Sequence, residues 1–344
     1  MARLARSPHA GTMSDLLLAR AEAMGGVITV KDLDAAGLRS RDAATLVNRG
    51  LLTRIGPRAY VLTESLKAAT KPEEHHRLVA MAHVHAFEGR VVASHHSAIA
   101  MHGVPTWGVD HDLIHVARST GKSSRRRGEL VIHEAYPKSA KDFDAVVTSP
   151  ASGLAAVSVA LAVIGTAMVD GEVAGIVAAD HALHRGLMSV EEYEAWLERL
   201  ARRPDISVAR RVLERAEPLT ESVGETRTRL LMQSMPELPE ITPQFEFKDE
   251  SGNVFATSDF LVGDFLVVES DGRLKYRAAD GANQAEVEQI VWREKQREER
   301  IRRHGHGHAV ARVIWDDLDR PARGRAIIRE GLRQSEALAR AAAA

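Results

Sequence analysis

The chain has 344 residues, with 46 Lys and Arg against 47 Asp and Glu, a formal net charge of −1, 44% hydrophobic and 27% charged residues. This length and apolar content suit two or three packed domains, and the balanced total means that any footprint for a polyanion must be local. There is no cysteine, which excludes disulfides and cysteine-based zinc sites and fits a reducing cytoplasm.

Residues 1–12, MARLARSPHAGT, read as a flexible arm, too short and too polar for a signal peptide, with Met13 as an alternative start. Over residues 13–64 a winged helix-turn-helix is expected. Val30–Ala36 has helical apolar spacing and stops at Gly37, where glycine takes positive φ without strain. Ser40 is the expected N-cap of a second helix, with Asp42 in its first turn and Ala43, Ala44, Leu46 and Val47 as its apolar face. That helix stops at Gly50, and Leu51–Ile55 and Ala59–Leu62 read as strands around the turn Gly56-Pro57-Arg58. In such a module the second helix enters the major groove of duplex DNA while the hairpin lies on the backbone.

Charge agrees with that expectation. Between Gly37 and Tyr60, Arg39, Arg41, Arg49, Arg54 and Arg58 face a single acid, Asp42, a local +4 in a neutral chain. Ser40, Arg41, Thr45 and Asn48 lie away from the apolar face, where base-edge readers sit, and Arg49, Arg54 and Arg58 are candidates for phosphate contact. The alternative is a module used for protein contact, or a solvated charged face.

The run MSDLLLARAEAMGGVITVKDLDAAGL…LVNRGLLTRIGPRAYVL resembles the N-terminal domain of the AbiEi-like antitoxins of type IV toxin–antitoxin systems. A glycine usually precedes the tyrosine in their wing motif, and Ala59 stands there in this chain. The resemblance implies binding to DNA upstream of the chain's own operon, with lowered transcription.

Residues 65–210 read as an α+β module. Helices are expected at Pro72–Glu88, from Ser94 to Met101, at Ser149–Met168, Val173–His184 and Ser189–Leu200. Strands are expected at Arg90–Ala93, Leu113–Ala117 and Glu129–His133, the last two around a basic loop, Ser119–Gly128. Thr148–Val169 carries no charge over 22 residues, but its Ala, Gly, Ser and Val content suits a buried helix and no membrane partner. SHHSAIAMHGVPTWGVDHDLIHVAR and the helices after it are similar to the second AbiEi-like domain, which implies a cognate toxin of nucleotidyltransferase type as partner.

Ten of the sixteen histidines fall between His75 and His133. Neither His83/His85 nor His95/His96 has the i, i+4 spacing that puts two imidazoles on one helix face. Satisfied or surface histidines are therefore expected. His304-Gly-His-Gly-His308 reads as a loop.

A boundary is expected near 205–220, with a last domain at 211–344. Helices are expected at Thr226–Met235, Gln284–Arg303 and Arg320–Ala344, and strands at Ile241–Lys248, Val254–Phe260, Phe265–Glu269 and Ala309–Ile314. Asp259 ends one strand, Glu269 and Asp271 end the next, and Glu225 opens the preceding helix. Carboxylates at adjacent strand ends can hold Mg²⁺, and a nearby lysine such as Lys275 can position water. This order resembles the PD-(D/E)xK nucleases, closest to the very-short-patch-repair-like endonucleases. The resemblance implies an α/β restriction-endonuclease-like fold, with Asp259 and Glu269 as metal ligands and Glu225 as the helix acid. Asp271 stands where the family has its lysine, and Lys275 or Lys295 would have to substitute.

Two functions follow. One is a non-enzymatic DNA-binding regulator of antitoxin type. The other is a Mg²⁺-dependent DNA endonuclease targeted by the N-terminal module.

Overall fold

The computed structural model describes residues 14–121, 123–135, 146–149, 152–271 and 284–344. It is a mixed α+β protein of two compact units, Met1–Ala216 and Glu217–Ala344.

In the first unit α1 (Asp15–Ala23) is capped by Ser14, and β1 (Val27–Thr29) runs straight into α2 (Val30–Ala35). A capping box closes that junction. The Asp32 carboxylate accepts from the Thr29 N–H at 2.9 Å and from its hydroxyl at 2.6 Å, while the Asp32 N–H donates to Thr29 Oγ1 at 3.4 Å. Gly37, at φ 73°, turns the chain into α3 (Ser40–Asn48). The expected cap at Ser40 is corrected here. Arg39 is the N-cap, because the Asp42 carboxylate reaches back to its N–H at 2.8 Å and makes Ser40 the first helical residue. Ala44 is also exposed, so the buried stripe of α3 is Ala43 and Leu46, flanked by half-buried Val47.

β2 (Leu52–Gly56) and β3 (Ala59–Leu62) form a hairpin, and β3 lies between β1 and β2 in an antiparallel sheet. Leu17, Ile28, Leu33, Leu46 and Leu52 close the small core beneath it. A short α4 (Thr63–Ala68) leads to α5 (Pro72–Ala86), which packs on all three strands of this sheet. The expected break at 64/65 is thus bridged by one helix.

The other side of α5 meets β4 (Val91–Ala93), α6 (His95–Met101) and β5 (Ile114–Arg118). With β6 (Arg125–Arg127), β7 (Leu130–His133), β8 (Val146–Thr148) and β9 (Ala155–Val157) they build a mixed sheet of order β6-β7-β5-β4-β9-β8. Two expectations change. The stretch read as the basic loop contains β6, which pairs antiparallel with β7. The helix expected from Ser149 begins ten residues later: Ala155–Val157 is drawn into the sheet, Ala156 beside Ala93, and Ser158 caps α7 (Val159–Asp170). α7, α8 (Glu172–His184), α9 (Val190–Arg199) and α10 (Ile206–Arg215) then pack together. α10 occupies the expected boundary because Ile206, Ala209 and Val212 give it one buried face.

The second unit runs α11 (Val223–Gln233), β10 (Ile241–Lys248), β11 (Val254–Val262), β12 (Leu266–Asp271), α12 (Gln284–Arg303), β13 (Ala309–Ile314), α13 (Trp315–Leu318) and α14 (Pro321–Ala342). The sheet order is β10-β11-β12-β13, antiparallel except for the last pair. Leu266, Val267 and Val268 are each 0% exposed because both faces of β12 are covered. Leu266 and Val268 join Met232 and Ile328 on one side, and Val267 joins Phe247 and Ile301 on the other. Gly324 and Gly331 let α14 approach closely: a Cβ at Gly331 would lie 2.7 Å from Leu266 Cδ1. Among the described residues no helix is long and apolar enough to cross a membrane.

The Asp32 box gives a pH prediction. Burial pushes this carboxyl up, but the Thr29 hydroxyl and N–H together with His85 outweigh it and hold it below its usual range. A depressed folded value contributes stability above the unfolded carboxyl pKa of about 3.9 and loses it as pH falls through the folded value. Asp32→Asn should cost about 1 kcal/mol at pH 7 in urea melts, as loss of a cap does. It should also flatten the loss of stability below about pH 4.

Candidate functional site

Three concentrations of polar chemistry stand out, and the first is the surface of α3 and the hairpin. Arg41, Thr45, Asn48 and Arg49 are exposed, as are Arg54 and Arg58 on the hairpin. Ser40 opens the same helix. Thr45 donates its hydroxyl to the Arg41 carbonyl at 3.1 Å, leaving its oxygen lone pairs outward, and Arg54 Nε donates to the Gly56 carbonyl at 3.4 Å. Arg58, at φ 70°, is held differently. Glu88 accepts from Arg58 at 2.9 Å and from Lys31 at 2.8 Å, so one acid restrains two cations of this surface. Beside the hairpin a cleft of about 360 Å³ is lined by Arg58, Arg90 and Arg127 among others, extending the positive strip onto the six-stranded sheet.

The second concentration is acidic, in the Glu217–Ala344 unit. Glu225, third residue of α11, accepts from the Glu221 N–H at 2.9 Å, the Ser222 hydroxyl at 2.7 Å and Gln244 Nε2 at 3.2 Å. Burial is the largest influence on it and raises its pKa, and the nearby charges of Asp259 and Glu221 add to that. Asp259 on β11 accepts from the Ser270 N–H at 2.6 Å. Glu269, 3% exposed on β12, accepts from Arg297 of α12 at 3.3 Å. Asp271 pairs with Arg312 of β13 at 3.0 Å, and the same guanidinium holds Glu298 at 2.7 Å. Thus Glu225 and Asp259 are neighbours, whereas Glu269 and Asp271 each carry an arginine. Lys295 is exposed on α12, and Lys275 lies outside the described residues.

The third is the histidine group of the middle sheet. His76, His96 and His115 are buried, not on the surface. His76 and His96 are satisfied at both ring nitrogens: His76 by the His111 carbonyl and Ser97 Oγ, His96 by Asp170 and the Leu113 carbonyl. His115 is not, since its Nε2 is buried without a hydrogen-bond partner. His95, His115 and His133 each place one ring nitrogen so that all three lie within 4.8 Å of one another. The sequence reading missed this group because it sought helical pairs. The available signal was a histidine inside each of two strand-like runs, IHVA and LVIH. His304 and His308, by contrast, pack edge-on against Phe247.

With this geometry in place, comparison adds little. No protein-family model matches the sequence, and no curated protein does. Among solved structures, the crystal structure of the RV2827C protein from Mycobacterium tuberculosis is similar over 71% of this chain and 90% of that chain, at 16% identity and a TM-score of 0.38.

The Glu88 clamp generates a prediction. Glu88→Gln removes the charge restraining Lys31 and Arg58, so the variant should need a higher salt concentration for elution from a heparin column. Unchanged elution would mean that the two cations do not face the polyanion.

Proposed function

We propose that the chain is a sequence-specific DNA-binding transcriptional regulator of antitoxin type. The observation that carries the DNA-binding reading is the outward face of α3, with Arg41, Thr45, Asn48 and Arg49, beside a hairpin bearing Arg54 and Arg58. The order of helices and strands around it is the one expected of a winged helix-turn-helix, with α3 as the recognition helix. Arg41 and Asn48 are the base readers on this reading, and Arg54 and Arg58 hold phosphates. Repression of the chain's own operon, a toxin of nucleotidyltransferase type as partner and a cytoplasmic setting rest on the sequence resemblance alone.

The test is a gel shift on the chain's own promoter and on random duplex. Raising salt from about 50 to 200 mM should weaken binding at least tenfold, because each neutralised phosphate releases counterions. Arg41→Ala should cost about 1–3 kcal/mol on the promoter and narrow its advantage over random DNA. Arg54→Ala should weaken both alike. A flat salt response would remove the reading.

A second reading, a Mg²⁺-dependent endonuclease acting in DNA repair or phage defence, is favoured by the element order α11-β10-β11-β12-α12-β13 and the neighbouring Glu225 and Asp259. Against cleavage, Arg297 and Arg312 neutralise Glu269 and Asp271, and an arginine at an acid opposes a cation there. Plasmid incubated with Mg²⁺ or Mn²⁺ should stay uncut. Rapid nicking that disappears in both Asp259→Ala and Glu269→Ala would promote the endonuclease over the regulator.

A further inference from the structure

The three histidines of the middle sheet come from three different elements. His95 opens α6, His115 lies in β5, and His133 ends β7. β5 and β7 run parallel with Ala117 beside His133, which sets His115 two residues back along the neighbouring strand. α6 then lays His95 over both: its ring centroid is 3.9 Å from that of His133 and 5.2 Å from that of His115. Holding it there requires two departures from easy backbone and packing. His95 sits at φ 52°, a left-handed conformation that is strained for a non-glycine residue. On the facing helix, position 165 is glycine, and a Cβ there would lie 3.0 Å from the His95 ring. Backbone strain and a missing side chain both serve to keep one imidazole against two others.

Three imidazoles gathered in a core have no obvious structural reason. His115 Nδ1 and His133 Nε2 are 2.9 Å apart and can share one proton, but the other nitrogen of His115 remains unsatisfied. Leaving such a group buried and unpaired forfeits its hydration with nothing in return. Burial, joined by the neighbouring histidines, holds His115 down to about 2, His133 to about 4, and His95 well below the usual imidazole range. At neutral pH all three are uncharged, the form that ligates metals. Ser97 Oγ accepts from the backbone N–H of His115 at 2.8 Å and pins β5 at this point, while the His96 ring, paired with Asp170, packs against the His115 ring at 4.5 Å. His95 and His133 also line a cavity of about 250 Å³, together with Ser94, Ser124, Glu134 and Arg203.

We propose that His95, His115 and His133 form a binding site for one divalent transition-metal ion, Zn²⁺, with a coordination position left open to the adjoining cavity. Nitrogen-only donors suit Zn²⁺ and disfavour Mg²⁺ or Ca²⁺, which take oxygen. Tetrahedral Zn–N bonds of about 2.0–2.1 Å bring the nitrogens to about 3.4 Å apart, so closure from 4.8 Å or less takes small side-chain rotations. Three histidines with one open position is the pattern of zinc sites that act on a ligand, whereas purely structural sites are closed by four protein donors. The site is independent of the DNA-binding reading, since none of its residues lies on α3 or the hairpin.

The test uses the full chain, stripped with a chelator and titrated with Zn²⁺ by calorimetry, and in parallel with Co²⁺ followed by visible absorption. The His304/His306/His308→Gln triple variant is titrated alongside, to separate the glycine-punctuated histidines of the other unit. Wild type and triple variant should each take up one Zn²⁺ tightly, and Co²⁺ should give the intense bands of a tetrahedral nitrogen site. His133→Gln, a half-buried position at the cavity wall, should lose more than about 100-fold in affinity, exceeding the effect of removing an outer-shell partner. Its metal-free melting temperature should stay close to wild type. Absence of tight binding in the triple variant would overturn the proposal, whatever the single variants do. So would full retention of affinity in His133→Gln, or in His95→Gln.

Discussion

The helix Pro72–Ala86 is the wall on which the two sheets of the first unit close. Seven of its fifteen residues are buried, and they point to more than one side. Toward the three-stranded sheet, Met81 touches the Gly25 turn, the His83 ring lies 3.1 Å from where a Cβ on Gly56 would stand, and His85 reaches Asp32 at 3.0 Å. Toward the six-stranded sheet, His76 takes hold of Ser97 and of the carbonyl before β5. The hairpin and the histidine group are therefore fixed to opposite sides of one rigid rod. The hairpin does not hang on a linker: α5 packs on all three strands of its sheet, and Arg58 lines one cleft with Arg90 and Arg127.

Charge is handled differently in the two units. In the first, the buried polar groups are mostly imidazoles and hydroxyls, with Asp32, Asp42 and Asp180 among them. In the second, carboxylates are carried into the sheet and met there by guanidinium groups, with Arg297 on Glu269 and Arg312 on both Asp271 and Glu298. Such pairs add little net stability, yet removing one partner leaves a buried charge exposed to its full desolvation cost. Glu269 and Asp271 are accordingly committed to the fold, while Glu225 and Asp259 lie near enough for the charge of one to raise the pKa of the other.

What could be read from the sequence was local. The turn at Gly37, the first-turn role of Asp42 and the apolar run of β12 are set by residues within a few positions of one another, and β10 and β13 fall where their alternation placed them. What could not be read was set by distant pairing. Ala155–Val157 has the composition of the helix that follows it, and becomes a strand because β8 and β4 pair with it from either side. Arg58 looks like any exposed hairpin arginine until Glu88, thirty residues on, is brought beside it. The three histidines stand 20 and 18 residues apart, a spacing with no meaning on a single helix, and the parallel β5–β7 pairing gives them one.

The three consecutive arginines of β6 have a further consequence. This strand is the outer member of its sheet, and an outer strand offers unpaired N–H and C=O groups to any extended chain that comes near. Arg125, Arg126 and Arg127 are all exposed, so a second copy approaching that edge brings three positive charges against three of its own. Arg127 thus both lines the cleft beside the hairpin and, with its two neighbours, opposes edge-to-edge stacking of two copies.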